Sequence, residues 1–412
     1  MNFEAVREGV GIALDALRSN KVRAFLTILG IVIGVATVMA MAAVVTGLRS
    51  GIMSEIEALG PNNFIVDRYD GTVIQVNDGS QPPPWQGKPP ITLEEQRLIA
   101  ALPSVQTVAA AVSASADLRW RTENVPGVNI RGQSSEWPDY TQGEFIAGRN
   151  FTPTEEDRAS SVVVLTEDLA ESLFEGINPI GQDVRLSGEL FRVVGVYRPR
   201  PNIFSGNAEV WAVVPPTVAV KRLNANDEWL SLLVVPKAGY TQEQAMDEVT
   251  VALRTARGLR PADENNFALI RQEAISNMVG RFTGIFALVM LVLSSIGLMV
   301  GGVGVVAIMM ISVTERTREI GVRKALGATR TEILWQFLVE AMTVTVIGGL
   351  IGMMIGGGGA LLLSALTPLP ASVPLWSIAA ALAVSAVTGI GFGLYPANKA
   401  ARLDPVDALR YE

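Results

Sequence analysis

Three stretches of the chain carry no charged side chain: residues 24–48, 282–314 and 341–398. A bilayer core about 30 Å thick needs roughly 20 apolar helical residues, so the first two blocks each predict one span. The third is long enough for two. Pro368, Pro370 and Pro374 divide it, because proline removes a backbone donor and interrupts a helix. The predicted spans are 24–47, 283–311, 341–366 and 376–396.

Outside these blocks the polar spacing takes over. Phe3, Val6, Val10, Ala13, Leu14 and Leu17 recur at helical intervals, which predicts a helix in residues 1–23 lying on the membrane surface or against the protein's own loops. Leu48, Ile52, Ile56 and Leu59 keep the helical period beyond the first span, and Ile275, Met278 and Phe282 keep it ahead of the second. Segments 48–60 and 273–282 are therefore expected to form a helical stalk.

Between the stalk segments lie short β-rich runs and two helix-opening signals. Asn63–Asp67 reads as a strand, and Thr92-Leu93-Glu94-Glu95 as a capping box opening a helix to Ala101. Val105–Val112 is a second strand, with β-rich sequence continuing to Arg131. Leu230–Val235, a helix from Thr241 to Arg257 and Phe267–Ile270 repeat the order β-α-β. Two β-α-β halves, 61–133 and 229–272, predict a split ferredoxin-like arrangement. Residues 134–228 interrupt it with their own strands (161–165, 189–197, 208–214) and a helix (166–174), and are expected to form an inserted second subdomain. Gln81–Pro90 reads as a surface loop of polyproline character. The fold class is thus a four-span α-helical membrane domain plus an α/β (α+β) domain outside it.

Lysine and arginine orient the spans. Arg7, Arg18, Lys21 and Arg23 precede the first; Arg316, Arg318, Arg323, Lys324 and Arg330 lie between the second and third; Lys399, Arg402 and Arg410 follow the fourth. All three basic segments are cytoplasmic together if four spans separate them as placed, which puts residues 48–281 outside the cell membrane and the tail 397–412 inside. The first apolar stretch is too long for the core of a cleaved signal peptide, so it is read as an anchor. The chain has no cysteine and no histidine, which excludes disulfides, thiolate metal sites and the commonest general base.

Little else points to chemistry. No phosphate-cradling G-x-x-x-x-G-K-[ST] loop is present, so this chain is not expected to bind ATP itself. No cofactor, metal or nucleic-acid site is indicated, and Glu155-Glu156-Asp157 reads as solvated surface. Gly301-Gly302-Val303-Gly304 falls inside a span, where a nucleotide loop does not form. Gly297 with Gly301, and Gly348 with Gly352 and Gly356, repeat every four residues, the small-residue spacing that lets helix backbones meet. With no charged residue inside a span, no proton relay is signalled.

One segment, Ser312–Arg330 within the 312–340 connection, alternates charge sign and interleaves apolar residues. This is the composition of a short helix docking into another protein's groove, or of an interfacial helix held by lipid headgroups. The segment resembles the coupling region of the MacB/FtsX family of ABC transporter permeases, the type VII or mechanotransmission group. Asn20–Val35 resembles that family's entry to its first span. Gly143–Phe151, Asn178–Gly181 and Val193–Val196 resemble its external domain, and Tyr395–Arg410 its C-terminus.

The resemblance implies a dimer of permeases with an ABC ATPase subunit under each. It also implies an external "porter" built from the split ferredoxin-like part, and transmission of ATP-driven movement through the spans and stalk. By it, Glu315, Arg316, Arg318, Glu319, Ile320, Gly321, Arg323, Lys324, Ala325, Leu326, Gly327 and Ala328 contact the ATPase. MacB carries its ATPase fused at the N-terminus; with 23 residues before the first span, a separate ATPase chain is expected here. The implied activity is export of amphipathic substrates (peptides, antibiotics, toxins or lipids) with a membrane-fusion adaptor. Lipoprotein release and the cell-division type, which activates cell-wall hydrolases through a usually smaller external domain, are the alternatives. A membrane enzyme is disfavoured by the lack of a catalytic group set.

Overall fold

The computed structural model describes residues 21–58, 60, 62–73, 82–200, 210–366 and 373–410. The helix expected within residues 2–20, Gln81 and most of the proline break at 367–372 lie outside these. The chain divides into two compact units, Ser50–Arg281 and Met1–Arg49 with Phe282–Glu412.

Helix α1 runs unbroken over Lys21–Ala58, taking in both the first apolar block and the periodic segment after it. The Ser50–Arg281 unit then opens with β1 (Phe64–Asp67), α2 (Leu93–Ala100), β2 (Val105–Trp120), β3 (Glu123–Gln133) and β4 (Gly143–Gly148). It continues with α3 (Pro153–Asp157), β5 (Val162–Thr166), α4 (Glu167–Phe174), β6 (Asp183–Leu186), β7 (Glu189–Pro199), β8 (Trp211–Val214) and α5 (Pro216–Arg222). It closes with β9 (Ser231–Pro236), α6 (Gln242–Ala256) and β10 (Ala268–Arg271).

The helix starts are written in the sequence. Thr92 Oγ1 accepts from Glu95 N (3.2 Å) while Glu95 accepts from Thr92 N (3.0 Å). Thr241 with Gln244 and Thr152 with Glu155 repeat the same reciprocal cap at α6 and α3. Each pairing satisfies two of the backbone donors that a helix start leaves free.

The strands join in the order β10-β1-β9-β2-β3-β8-β5-β7-β4, with β6 beside β2 and β7. The first four are antiparallel to their neighbours, and their order is that of a ferredoxin-like sheet split between its second and third strands. Helices α2 and α6 cover one face through Ile99, Ala245, Val249 and Leu253, against Phe64, Val66, Val108, Val112, Leu232 and Val234. The alternation is the period of two along a half-covered strand: Phe64 and Val66 point inward, Ile65 and Asp67 less so.

Strand β2 is twice the length its apolar run suggested. It continues past Val112 to Trp120 through a register shift at Ala116/Leu118, pairing β3 along the way, so one sheet and one hydrophobic cluster reach into residues 134–228. There β5 and β8 are buried along their whole length, as expected of strands covered on both faces. A second cluster, Trp137, Phe151, Tyr197 and Trp211 with three valines, packs on β5, β7 and β8.

Helix α7 (Gln272–Glu315) begins in the Ser50–Arg281 unit and enters the other at Phe282. The other unit also contains α8 (Thr317–Ala325), α9 (Arg330–Leu366), α10 (Leu375–Ala401) and α11 (Pro405–Arg410). Ile28–Ser54 within α1, α7, α9 and α10 are long and apolar enough to cross a membrane. The helices overrun the predicted spans. Helix α9 starts at Arg330, well before Ala341, because Thr329 and Glu332 form another reciprocal cap (2.8 and 3.3 Å). Helix α10 continues through Pro396 to Ala401.

Candidate functional site

The twelve residues singled out between Glu315 and Ala328 fall on and around α8. The bend into it is a single residue, Arg316 (φ −106°, ψ 15°). Helical bonding bridges it: Ile320 N donates to Arg316 O at 3.0 Å, and Thr317 Oγ1 donates to Val313 O (3.0 Å) and Thr314 O (2.9 Å). The exit is closed by Gly327 at φ +100°. Its N–H donates to Lys324 O while Ala328 N–H donates to Arg323 O, satisfying carbonyls at the helix end.

The helix has two faces. Thr317, Ile320 and Gly321 are buried. Ile320 joins a core with Ile333, Phe337 and Leu338 of α9 and Ala397, Ala400 and Ala401 of α10. A methyl on Gly321 would stand 2.8 Å from Ala408 Cβ, so α11 lies directly on α8. Lys324 Nζ donates to Ala401 O (2.8 Å), the last carbonyl of α10, where the helix dipole favours a cation, and to Leu403 O (2.5 Å) in the turn that follows. Arg323 donates to Gln336 Oε1 (2.8 Å) and pairs with Glu319 (2.7 Å).

Glu315, Arg318, Glu319, Ala325, Leu326 and Gly327 are exposed, as is Val322. Leu326 is 83% exposed and Val406 on α11 73%. The outer surface therefore mixes both charge signs with bare apolar side chains. Arg316, Arg323, Lys324 and Ala328 are half-buried between the faces.

The glycines lie at helix contacts. A methyl on Gly301 would stand 2.7 Å from Ile31 N, and one on Gly297 3.3 Å from the Cα of Gly34. Across α1, Gly348 faces Ile31 (3.1 Å), Gly352 faces Val32 O (2.9 Å) and Gly356 faces Ala36 O (2.5 Å). Gly30 and Gly34, also four apart, are the α1 half of this contact, and the same spacing marks them in the sequence. Ser294 Oγ donates across it to Gly34 O at 2.7 Å.

Two acidic positions differ from expectation. Glu155 and Glu156 are not freely solvated. Glu155 takes a bidentate bond from Arg149 (both 2.8 Å), which holds its carboxyl down at about 2. Glu156 Oε2 accepts from Ser135 N at 2.6 Å, and burial pushes its carboxyl up. Capping geometry and the turn after Ser134 draw both against the fold. Glu340, which borders the longest charge-free block, is 2% exposed. Among the described residues, no group of three or more Asp or Glu could hold a metal ion.

The MacB-like periplasmic core domain model matches residues 24–252, and the FtsX-like permease C-terminal model matches 284–405. The ABC transporter permease YknZ of Bacillus subtilis (strain 168), itself described as uncharacterized, is 31% identical over 98% of this chain and 99% of its own length. A macrolide export ATP-binding/permease protein MacB of Azoarcus sp. (strain BH72) is 35% identical over 98% of this chain, which spans 60% of that relative's length. The periplasmic region of MacB from Actinobacillus actinomycetemcomitans covers 56% of this chain at 18% identity, with a TM-score of 0.45 and 97% of its own length covered.

Proposed function

The chain belongs to the MacB/FtsX family of ABC transporter permeases, and from that premise we propose that it converts the movement of an ABC ATPase into movement of its external domain. It is a multi-pass membrane protein with an extracytoplasmic domain. In the proposal it sits in the cytoplasmic membrane as a homodimer, with both termini and residues 312–340 inside and 48–281 outside. Each ATPase meets the exposed side of α8. The split ferredoxin-like part serves as the porter, residues 134–228 as the insert, and a membrane-fusion adaptor receives amphipathic substrates.

The observation that carries this reading is the continuity of α7. A single helix of 44 residues runs from the last strand to the one-residue bend before α8, and helices are stiff over such lengths. The exposed side of α8, with Arg318, Glu319, Val322 and Leu326, supplies charge for partner choice and apolar area for affinity. The absence of charged side chains from the middle of the spans favours levers over an aqueous path.

The test is co-purification of the cognate ATPase with Leu326→Asp and Arg318→Glu permeases. The expected result is loss of the ATPase with the membrane yield unchanged. Undiminished co-purification with both variants would overturn the docking face.

A further inference from the structure

Glu340 plays no part in the docking face, yet it is almost wholly buried in α9. Its carboxylate is loosely held. Ser312 Oγ donates to Oε1 at 3.5 Å, Arg316 Nη1 stands 3.7 Å from Oε2, and Oε2 accepts no hydrogen bond. Ser312 is itself buried and Arg316 about three-quarters so. Desolvating a carboxylate costs several kcal/mol unless well compensated, so packing alone would favour an apolar side chain here.

The partner is the informative part. Arg316 is the one residue out of helical conformation between α7 and α8. Helix α9 presents two acceptors one turn apart on one face, Gln336 and Glu340. They meet Arg323 and Arg316, two turns apart along α8. The more exposed contact, Arg323 to Gln336, is a short neutral-acceptor bond; the buried one is the ion pair at the bend.

We infer that Glu340 is a positioning residue: by holding Arg316 it sets the angle between α7 and α8, so that a tilt of α8 is passed to α7. The role in transmission rests on the function proposed above; the role in setting the bend does not. Because the chain has no cysteine, paired spin labels can be placed at Leu291 and Val322, both exposed, to read the bend by double electron–electron resonance. The parent should give one narrow distance distribution. Glu340→Gln and Arg316→Gln should each broaden it, and the double variant should broaden it no further. If Glu340→Gln fails to fold, Arg316→Gln carries the measurement, being the less buried partner. Single variants as narrow as the parent, with only a lowered melting temperature, would reduce Glu340 to a packing group and overturn the inference.

A second readout uses the complex with the cognate ATPase and a single label at Glu57, an exposed position on α1. On adding ATP the spectrum should shift in the parent and stay still in Glu340→Gln, with equal amounts of ATPase bound. An equal shift in both overturns the transmitting role. A parent that binds no ATPase overturns the docking reading instead, and leaves the bend measurement standing.

Discussion

A methyl group on Gly30 would stand 2.7 Å from the Cα of Gly301, so α1 and α7 meet backbone to backbone. In lipid, where hydrophobic burial does not distinguish helix from tail, such close approach is what holds helices together. Overpacking a tight contact costs about 1–3 kcal/mol. Gly301→Leu is therefore expected to lower the melting temperature of the detergent-solubilised protein. Gly358→Leu is the control, since a Cβ there meets nothing within 4 Å. Equal melting temperatures for the two variants would remove the contact from the account.

In the external domain, Arg257 is 7% and Glu95 12% exposed at the side chain, and they pair through bonds of 2.6 and 2.9 Å. Arg257 also donates to Asn266 O, Asn266 Oδ1 and Pro90 O, tying the proline-rich loop to the end of α6. Removing one partner of a buried pair strands the other, at about 3–5 kcal/mol. Arg257→Ala should accordingly open the segment around Pro90 to limited proteolysis at temperatures where the parent resists. Arg257→Lys should recover only part of the loss, since an ammonium does not reproduce the fork.

Acid should act on Glu155. Its folded carboxyl is held at about 2, against 4.5 in the open chain, chiefly by the Arg149 bond. A depressed folded value means the contribution is complete above pH 4.5 and disappears as pH falls toward 2. Arg149 is more than half exposed, and solvent screening keeps the contribution to about 1 kcal/mol or less. Glu155→Gln should show a smaller drop in melting temperature than the parent between those pH values and differ least at the acid end. A constant offset across the range would assign the effect to the α3 cap instead.

The contact between α8 and α11 is equally specific. Gly321→Leu drives a side chain into Ala408, whose Cβ lies 2.8 Å from where a methyl would begin. The expected result is faster proteolytic loss of the C-terminal segment, with α9 and α10 untouched. Val322→Leu, on the exposed side, should leave the C-terminus as resistant as in the parent.

Much of this architecture is legible without coordinates because strong rules act locally. Charge-free block lengths locate the four apolar helices, and Thr-x-x-Glu or Thr-x-x-Gln spacing marks the starts of α2 and α6. The strand order rests on two β-α-β halves recognised at a distance. What was missed depends on tertiary contact. Strand β2 outruns its apolar run because β3 and β6 supply partners to Arg119. Glu340 lies against Ser312 and Arg316, far away in sequence, so its own neighbours along the chain do not announce its burial. The Thr329–Glu332 cap lies ahead of the charge-free block, so the block alone places the start of α9 too late. At α8 the alternation of charge and apolar residues predicts a docking helix, yet cannot say that Ile320 and Gly321 face the bundle while Leu326 faces out.

Strand β1 has a consequence for how this protein is made. Its two partners, β9 and β10, are the last strands of the external domain to be synthesised, so Phe64–Asp67 waits with both edges bare while everything between is translated. Unpaired edges invite wrong partners. The wait ends at Arg271, and the very next residue, Gln272, begins α7. Completion of the sheet is thus timed to the birth of the second membrane helix. A ribosome pausing inside α6 would leave a chain that is anchored at one end, its external domain nearly finished but its oldest strand still open on the β10 side.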